Sequence, residues 1–302
     1  MNITDLHQAL KEHGYESRVL PISVVPELES GIRDLVNKGT ITADFYQKEL
    51  SANIDFSSKS KLFKTRSIII LACFQPPTRV KFGSYFFTVP PTYIYRPIRE
   101  DSFRILVTLL EPDGYSVRRA RLPFKLLAAR SGLGRYGRNN LLYIEGIGSF
   151  QRMEAFYSDL PRRYFELSEP QVMEKCKSCV LCQKACPTNA INPDRFIINA
   201  ERCLTYFNEN QEPFPDWIKP SCHNAIIGCL KCQQVCPANR EVLPKTLESK
   251  IEFSEKEVSL ILKGTAMEAL SLATNEKLHE LCLEEYYSVL PRNISVLARA
   301  QG

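Results

Sequence analysis

The sequence predicts an α+β chain in which a cysteine-rich, loop-built segment separates a mixed body from a short helical tail. Helical and strand-like periodicities alternate over residues 1–165. Nine of the eleven cysteines then fall between Cys176 and Cys236, and a helical pattern resumes at Leu247. The expected division is therefore 1–165, 166–246 and 247–302. A length of 302 residues allows one large domain or two to three smaller ones, and an apolar share of 44% is enough for a sizeable core.

In order, TDLHQALKEH reads as an amphipathic helix capped by Thr4. SRVLPISVV reads as a strand, and ELESGIRDLVNKG as a helix ended by Gly39. TRSIIILACFQPP is a continuous apolar run closed by two prolines, which predicts a buried strand with Cys73 as a small core residue. VKFGSYFFTVPP predicts strand near a sheet edge, because proline cannot donate to an inner ladder. SFRILVTLLEPDG predicts a helix starting at Ser102 and stopped by Pro112 and Gly114. A further helix runs from Leu122 to Ser131 with Gly132 as its left-handed cap, and LLYI and QRMEAFYS predict strands on either side of a GIGS turn. The tail segments EKEVSLILKG, TAMEALSLA and KLHELCLEEYYSVL read as helices that pack back on the body.

The chemistry is concentrated in the cysteines. Cys176, Cys179, Cys182 and Cys186 are spaced x2, x2, x3 and followed by Pro187. Thiolates at x2 intervals let a looping backbone wrap three corners of an iron–sulfur cube, while the cysteine before the proline ligates a second cube. A mirrored run at Cys229, Cys232, Cys236 and Pro237 lacks its first cysteine, since Ile226 stands there. Crossing the two runs assigns Cys176, Cys179, Cys182 and Cys236 to one 4Fe-4S cluster. Cys186, Cys229 and Cys232 go to the other, with Cys203 or Cys222 as its fourth ligand. Zinc sites usually use two separated Cys-x2-Cys pairs, and the crowding at x2 spacing argues against a disulfide framework. His223 is read as a structural residue rather than a ligand.

The N-terminus shows no apolar signal core or twin-arginine, and no run nears the ~18 apolar residues of a membrane span, so a cytoplasmic, membrane-free protein is expected. The net charge of +5 is unevenly spread. Arg118, Arg119, Arg121, Lys125, Arg130, Arg135 and Arg138 lie between Gly114 and Ile144 with no acid among them, whereas the chain from Leu247 carries six basic and nine acidic residues. Such a basic stretch is a solvated face or meets an anion such as a phosphate. In the same stretch Gly132, Gly134 and Gly137, followed by Asn139 and Asn140, build either a helix cap with a hairpin turn or a backbone open to a flat ligand.

The order SGLGRYGRNN, GIGSF, SDLP, CxxCxxCxxxCPT, ERCLTY and GCLKCQQVCPAN resembles the core of the epoxyqueuosine reductase family, over roughly Gly114 to Arg240. It is more distantly similar to the reductive dehalogenases. The resemblance implies a nitroreductase-like α/β domain that binds cobalamin, followed by a bacterial ferredoxin-like double 4Fe-4S domain. It makes Gly132, Gly134, Tyr136, Gly137, Arg138, Asn139, Asn140, Gly148 and Ser149 cobalamin-contact candidates, and it selects Cys203 over Cys222. Nitroreductase-like domains also bind flavin, so the ring cofactor stays open between the two. Where the family carries its proton-donating aspartate this sequence has Ala120, in ARLP, and alanine cannot donate a proton.

The expected function is a cobalamin-dependent reductase. Electrons would come from a low-potential ferredoxin- or flavodoxin-type donor, pass through both clusters and end on a small-molecule or corrinoid substrate. The missing aspartate favours a second reading, a non-catalytic electron-transfer protein serving a partner. A tRNA-modifying enzyme ranks last, because the tail is acidic and phosphate is repelled by acidic surfaces.

Overall fold

The computed structural model describes residues 2–57, 63–243 and 246–301. The chain opens with α1 (Ile3–Glu12), whose cap is Asn2 rather than Thr4, because the Asn2 side chain accepts the Asp5 N–H at 2.9 Å. Next come β1 (Tyr15–Pro21), α2 (Val25–Asn37), the single turn α3 (Ala43–Phe45) and β2 (Ser67–Phe74). The hairpin β3 (Thr78–Phe82) and β4 (Tyr85–Val89) leads to α4 (Arg96–Leu110). This helix starts six residues before the expected Ser102, which lies fully buried inside it; Pro97 fits a first turn, where its missing N–H costs nothing. Then follow β5 (Val117–Arg119), α5 (Phe124–Arg130), β6 (Arg135–Tyr136), β7 (Leu142–Tyr143) and β8 (Gln151–Ser158). The cysteine segment holds only the short helices α6 (Leu181–Ala185), α7 (Leu204–Glu209) and α8 (Lys231–Gln234). The tail contains β9 (Leu247–Phe253), α9 (Glu255–Leu262), α10 (Leu272–Glu280) and α11 (Leu290–Gln301). The α+β class read from the sequence is the class the structure has.

Two compact units emerge. The first contains residues 1–74 and 97–177 and is built on an antiparallel sheet in the order β1-β2-β8-β5. Both faces of this sheet are covered, which explains why β2 is apolar without alternation. Ile68, Ile70, Ala72, Ala155 and Tyr157 pack with residues of α2 and α5, while Ile69, Leu71, Cys73 and Phe156 pack with residues of α1 and α4. Each fully buried Ile or Leu contributes roughly 1.5–3 kcal/mol.

The second unit contains residues 75–96 and 178–302. Its sheet runs β4-β3-β9, with β3 parallel to β9 and β4 on the edge. The strand β9 corrects the expectation that the tail is helical from Leu247. Phe253, Val258, Ile261, Leu278, Leu290 and Ile294 of the tail share one core with Val80, Phe82 and Phe87 of the hairpin and with Ile226 and Ile227. KLHELCLEEYYSVL is not one helix either. Cys282 turns left-handed at φ 55°, so α10 ends before it.

Candidate metal centre and cofactor site

In the second unit, the ligands assigned to one cluster are met by hydrogen-bond donors. The Cys186 Sγ accepts the Ala190 N–H at 3.3 Å and lies 3.8 Å from the Thr188 hydroxyl. The Cys229 Sγ accepts from Asn224 Nδ2 at 3.2 Å and from the Lys231 backbone. Cys203 receives the backbone and hydroxyl donors of Thr205. Burial pushes the Cys203 thiol up and the Cys229 thiol up to about 11, against those donors. Cys186 lies close enough to influence both Cys203 and Cys229 electrostatically, and Cys203 to influence Cys229, so three separate segments bring these sulfurs into one neighbourhood.

Cys232 joins them in sequence on α8, half-buried. The Cys222 Sγ lies 3.9 Å from the carbonyl oxygen of Pro187, the residue after Cys186. Desolvated thiols met by N–H donors fit a 4Fe-4S cube, whose iron charge offsets the penalty of burying thiolates. Among the described residues no three His, Cys, Asp or Glu side chains converge on a single ion.

For the other assigned cluster, Cys176 and Cys182 are buried and Cys179 and Cys236 half-buried. The boundary between the units falls after Lys177, inside this first run. Cys176 is positioned by the glycine-rich segment. The Tyr136 N–H donates to the Gln171 carbonyl at 2.8 Å and the Met173 N–H donates to the Tyr136 carbonyl at 2.8 Å, which lays residues 171–173 beside β6. Arg138 Nε donates to the Cys176 carbonyl at 3.2 Å.

The nine cofactor candidates have clear internal work. Gly132 caps α5 at φ 69°, with nothing within 4 Å of a Cβ built on it. A Cβ on Gly134 would stand 2.7 Å from the Tyr143 carbonyl oxygen, and one on Gly137 would stand 2.5 Å from the Tyr143 ring. The close approach that demands glycine is thus to β7. Asn139 is buried and donates to the Tyr143 hydroxyl at 3.0 Å, Tyr136 is a core residue, and Asn140 makes the left-handed turn at φ 57°. Gly148 pairs with Ile144 across the GIGS turn, and Ser149 is buried after it. The residue types fit a ring-binding loop, but packing on Tyr143 alone accounts for two of the glycines.

The basic stretch is also engaged. Arg118 lies over the Tyr157 ring at 4.3 Å, and Arg119 lies over Phe103 and donates to the Arg99 carbonyl. Arg121 donates to the Ala52 carbonyl, and Arg130 to the Ser168 carbonyl and Glu27. Ring and carbonyl contacts orient these guanidiniums without neutralising them, and ion pairs form at Arg121 with Asp55 and at Arg130 with Glu27. Ala120 is 4% exposed in the core, and its N–H donates to the Ala155 carbonyl at 2.8 Å. Sequence reasoning missed Asp55, which the fold brings beside ARLP. Its N–H donates to the Arg121 carbonyl at 2.6 Å and its carboxylate stands 4.0 Å from that guanidinium. No local motif announces it. His223 is buried edge-on to Phe214 at 4.5 Å, and neither ring nitrogen has a hydrogen-bond partner among the described residues.

Residues 175–239 match the family model of a 4Fe-4S double cluster binding domain. An epoxyqueuosine reductase of Cyclobacterium marinum is 36% identical over 133 residues, which is 44% of this chain and 42% of that protein. The chain resembles the epoxyqueuosine reductases. A second such enzyme, from Escherichia coli, is 36% identical over 115 residues, 38% of this chain and 29% of its own. The matched stretch is thus less than half the length of either relative. The solved epoxyqueuosine reductase of Streptococcus thermophilus aligns with a TM-score of 0.68 at 19% identity, covering 100% of this chain and 82% of that one. An epoxyqueuosine reductase solved with an epoxyqueuosine-modified tRNA-Tyr stem loop aligns with a TM-score of 0.64 at 19% identity, covering 99% and 82%. These two likenesses show the fold. Among the described residues no helix is long and apolar enough to cross a membrane.

Proposed function

We propose that the chain is an iron–sulfur reductase of the epoxyqueuosine reductase type, moving single electrons through two 4Fe-4S clusters. The observation that carries this reading is the gathering of Cys186, Cys203 and Cys229, each met by hydrogen-bond donors, inside the stretch that matches a double-cluster domain. Cys232 completes that cluster, and Cys176, Cys179, Cys182 and Cys236 hold the other. Arg138 and the strand-like pairing of residues 171–173 fix the Cys176 backbone.

The finer reading ends the electron path on a corrin held by that segment, with Gly132, Asn140 and the Gly148–Ser149 turn as its remaining contact candidates. A bound corrin would supply a low-valent cobalt able to reduce a substrate. The chain's own contribution is to hold the clusters dry and at fixed separation. Anaerobic titration of the cluster-loaded protein with cob(II)alamin, followed by visible and EPR spectra, tests this. A shift of the cobalt signal is expected, and an unperturbed spectrum removes the corrin from the account.

The relatives raise a reading that the sequence ranked last. The relatives that match at 36% identity are epoxyqueuosine reductases, and one such enzyme was solved with a modified tRNA stem loop, so a tRNA-borne substrate comes first among the substrates to try. Ala120 weighs against simple carry-over, because no acid stands where the family places its proton donor. Binding of epoxyqueuosine-containing tRNA across a salt series separates the cases: a steep loss of affinity with salt marks phosphate contacts. Absence of binding favours an electron carrier that serves a separate corrinoid partner.

A further inference from the structure

Tyr93 belongs to the segment after the β3–β4 hairpin, yet its side chain lies among the ligand-bearing loops of the second unit. It is 4% exposed and packs edge-on against Tyr286 at 5.2 Å. Its hydroxyl occupies the space beside Gly228, the residue before Cys229: a Cβ on Gly228 would collide with that oxygen. The hydroxyl donates to Glu209 Oε1, at the end of the helix that begins after Cys203. Cys203 lies close enough to both Tyr93 and Glu209 to influence them electrostatically. The neighbouring Asn208 donates to the Gly228 carbonyl at 2.6 Å, which locks the two ligand-bearing segments together around the pair.

We propose that Tyr93 and Glu209 together set the reduction potential of the cluster assigned to Cys186, Cys203, Cys229 and Cys232. This rests on the two-cluster reading above. The phenol donates to Glu209 Oε1, and this half-buried carboxyl is taken as ionised. Reduction adds one electron and hence one negative charge to the cluster. A fixed carboxylate nearby disfavours that charge and lowers the potential, and the screening is weak because water is largely excluded. Tyr93 keeps the carboxylate in place at a hydrogen-bonded position that would otherwise cost desolvation.

The test is an EPR-monitored titration of the reconstituted full chain with dithionite and mediators, with iron analysis alongside. Glu209→Gln keeps the shape and removes the charge. One midpoint is expected to rise so that the cluster is about tenfold easier to reduce, about 59 mV for one electron, while the other stays. Tyr93→Phe keeps the ring packing and is expected to move the same midpoint alone, and it decides the matter if Glu209→Gln fails to load iron. Eight irons per chain with both midpoints unmoved in the variants overturns the proposal. Wild-type protein short of eight irons instead removes the two-cluster reading beneath it.

Discussion

Arg138 Nε donates to the carbonyl oxygen of Cys176 at 3.2 Å, and the same guanidinium reaches the Lys177 carbonyl at 3.4 Å. A residue from the glycine-rich segment therefore holds the backbone of the first cysteine in the run. Hydrogen bonds to a charged group contribute about 1.5–3 kcal/mol. Arg138→Met is expected to loosen Cys176 and speed iron loss to a chelator, with the residual iron approaching one cluster per chain. Iron release at the wild-type rate would show that the contact holds nothing.

Cys203 and Cys222 compete for one ligand position in the sequence, and iron content of variants decides between them. Cys203 shares its surroundings with Cys186 and Cys229, while Cys222 faces the Pro187 carbonyl. Cys203→Ser is expected to lower iron from eight toward four per chain, and Cys222→Ser to leave it at eight. The reverse pattern would reassign the ligand.

Gly134 and Gly137 are required by Tyr143. Gly134→Ala or Gly137→Ala pushes a methyl to within 2.7 Å of the Tyr143 carbonyl oxygen or 2.5 Å of its ring. Overpacking of this kind costs about 1–3 kcal/mol, so both variants should melt several degrees lower than wild type. Unchanged melting temperatures would return these glycines to the cofactor.

What was legible in the sequence was what neighbouring residues decide. The cysteine spacing carries its meaning within a dozen residues, and the run SIIIL announces a strand buried on both faces. Relationships across long separations were not legible. LESKIEF reads as the start of a helical tail, yet it forms β9 because β3 lies alongside, with Arg79 and Lys81 facing Glu248 and Glu252. Tyr93 meets Glu209 across 116 positions, and Asp55 meets Arg121 across 66. The glycine segment was ambiguous for a different reason. Its pattern is the same whether the backbone approaches a ligand or a tyrosine ring, and only the position of Tyr143 distinguishes them.

Glu257 gives the tail a pH signature. It forms a capping box with Ser254 at the start of α9 and accepts two hydrogen bonds from Lys277, at 2.8 and 2.9 Å. Burial alone would raise its pKa. The donors from Lys277, Ser254 and Thr274 outweigh burial and bring it down to about 2. The folded state therefore favours the ionised form, and this stabilisation is complete above about pH 4.5 and lost as pH falls toward 2. Glu257→Gln should destabilise the chain by about 1–2 kcal/mol at pH 7 and by little at pH 2. Denaturant melts at the two pH values check this, and an equal loss at both would contradict it.

The two-cluster claim is tested most directly by anaerobic reconstitution followed by quantitation of iron and acid-labile sulfide in one sample. The account predicts eight of each per chain, four for each cluster of the double-cluster domain. Stoichiometric zinc, or only four irons in the fully loaded protein, would contradict it.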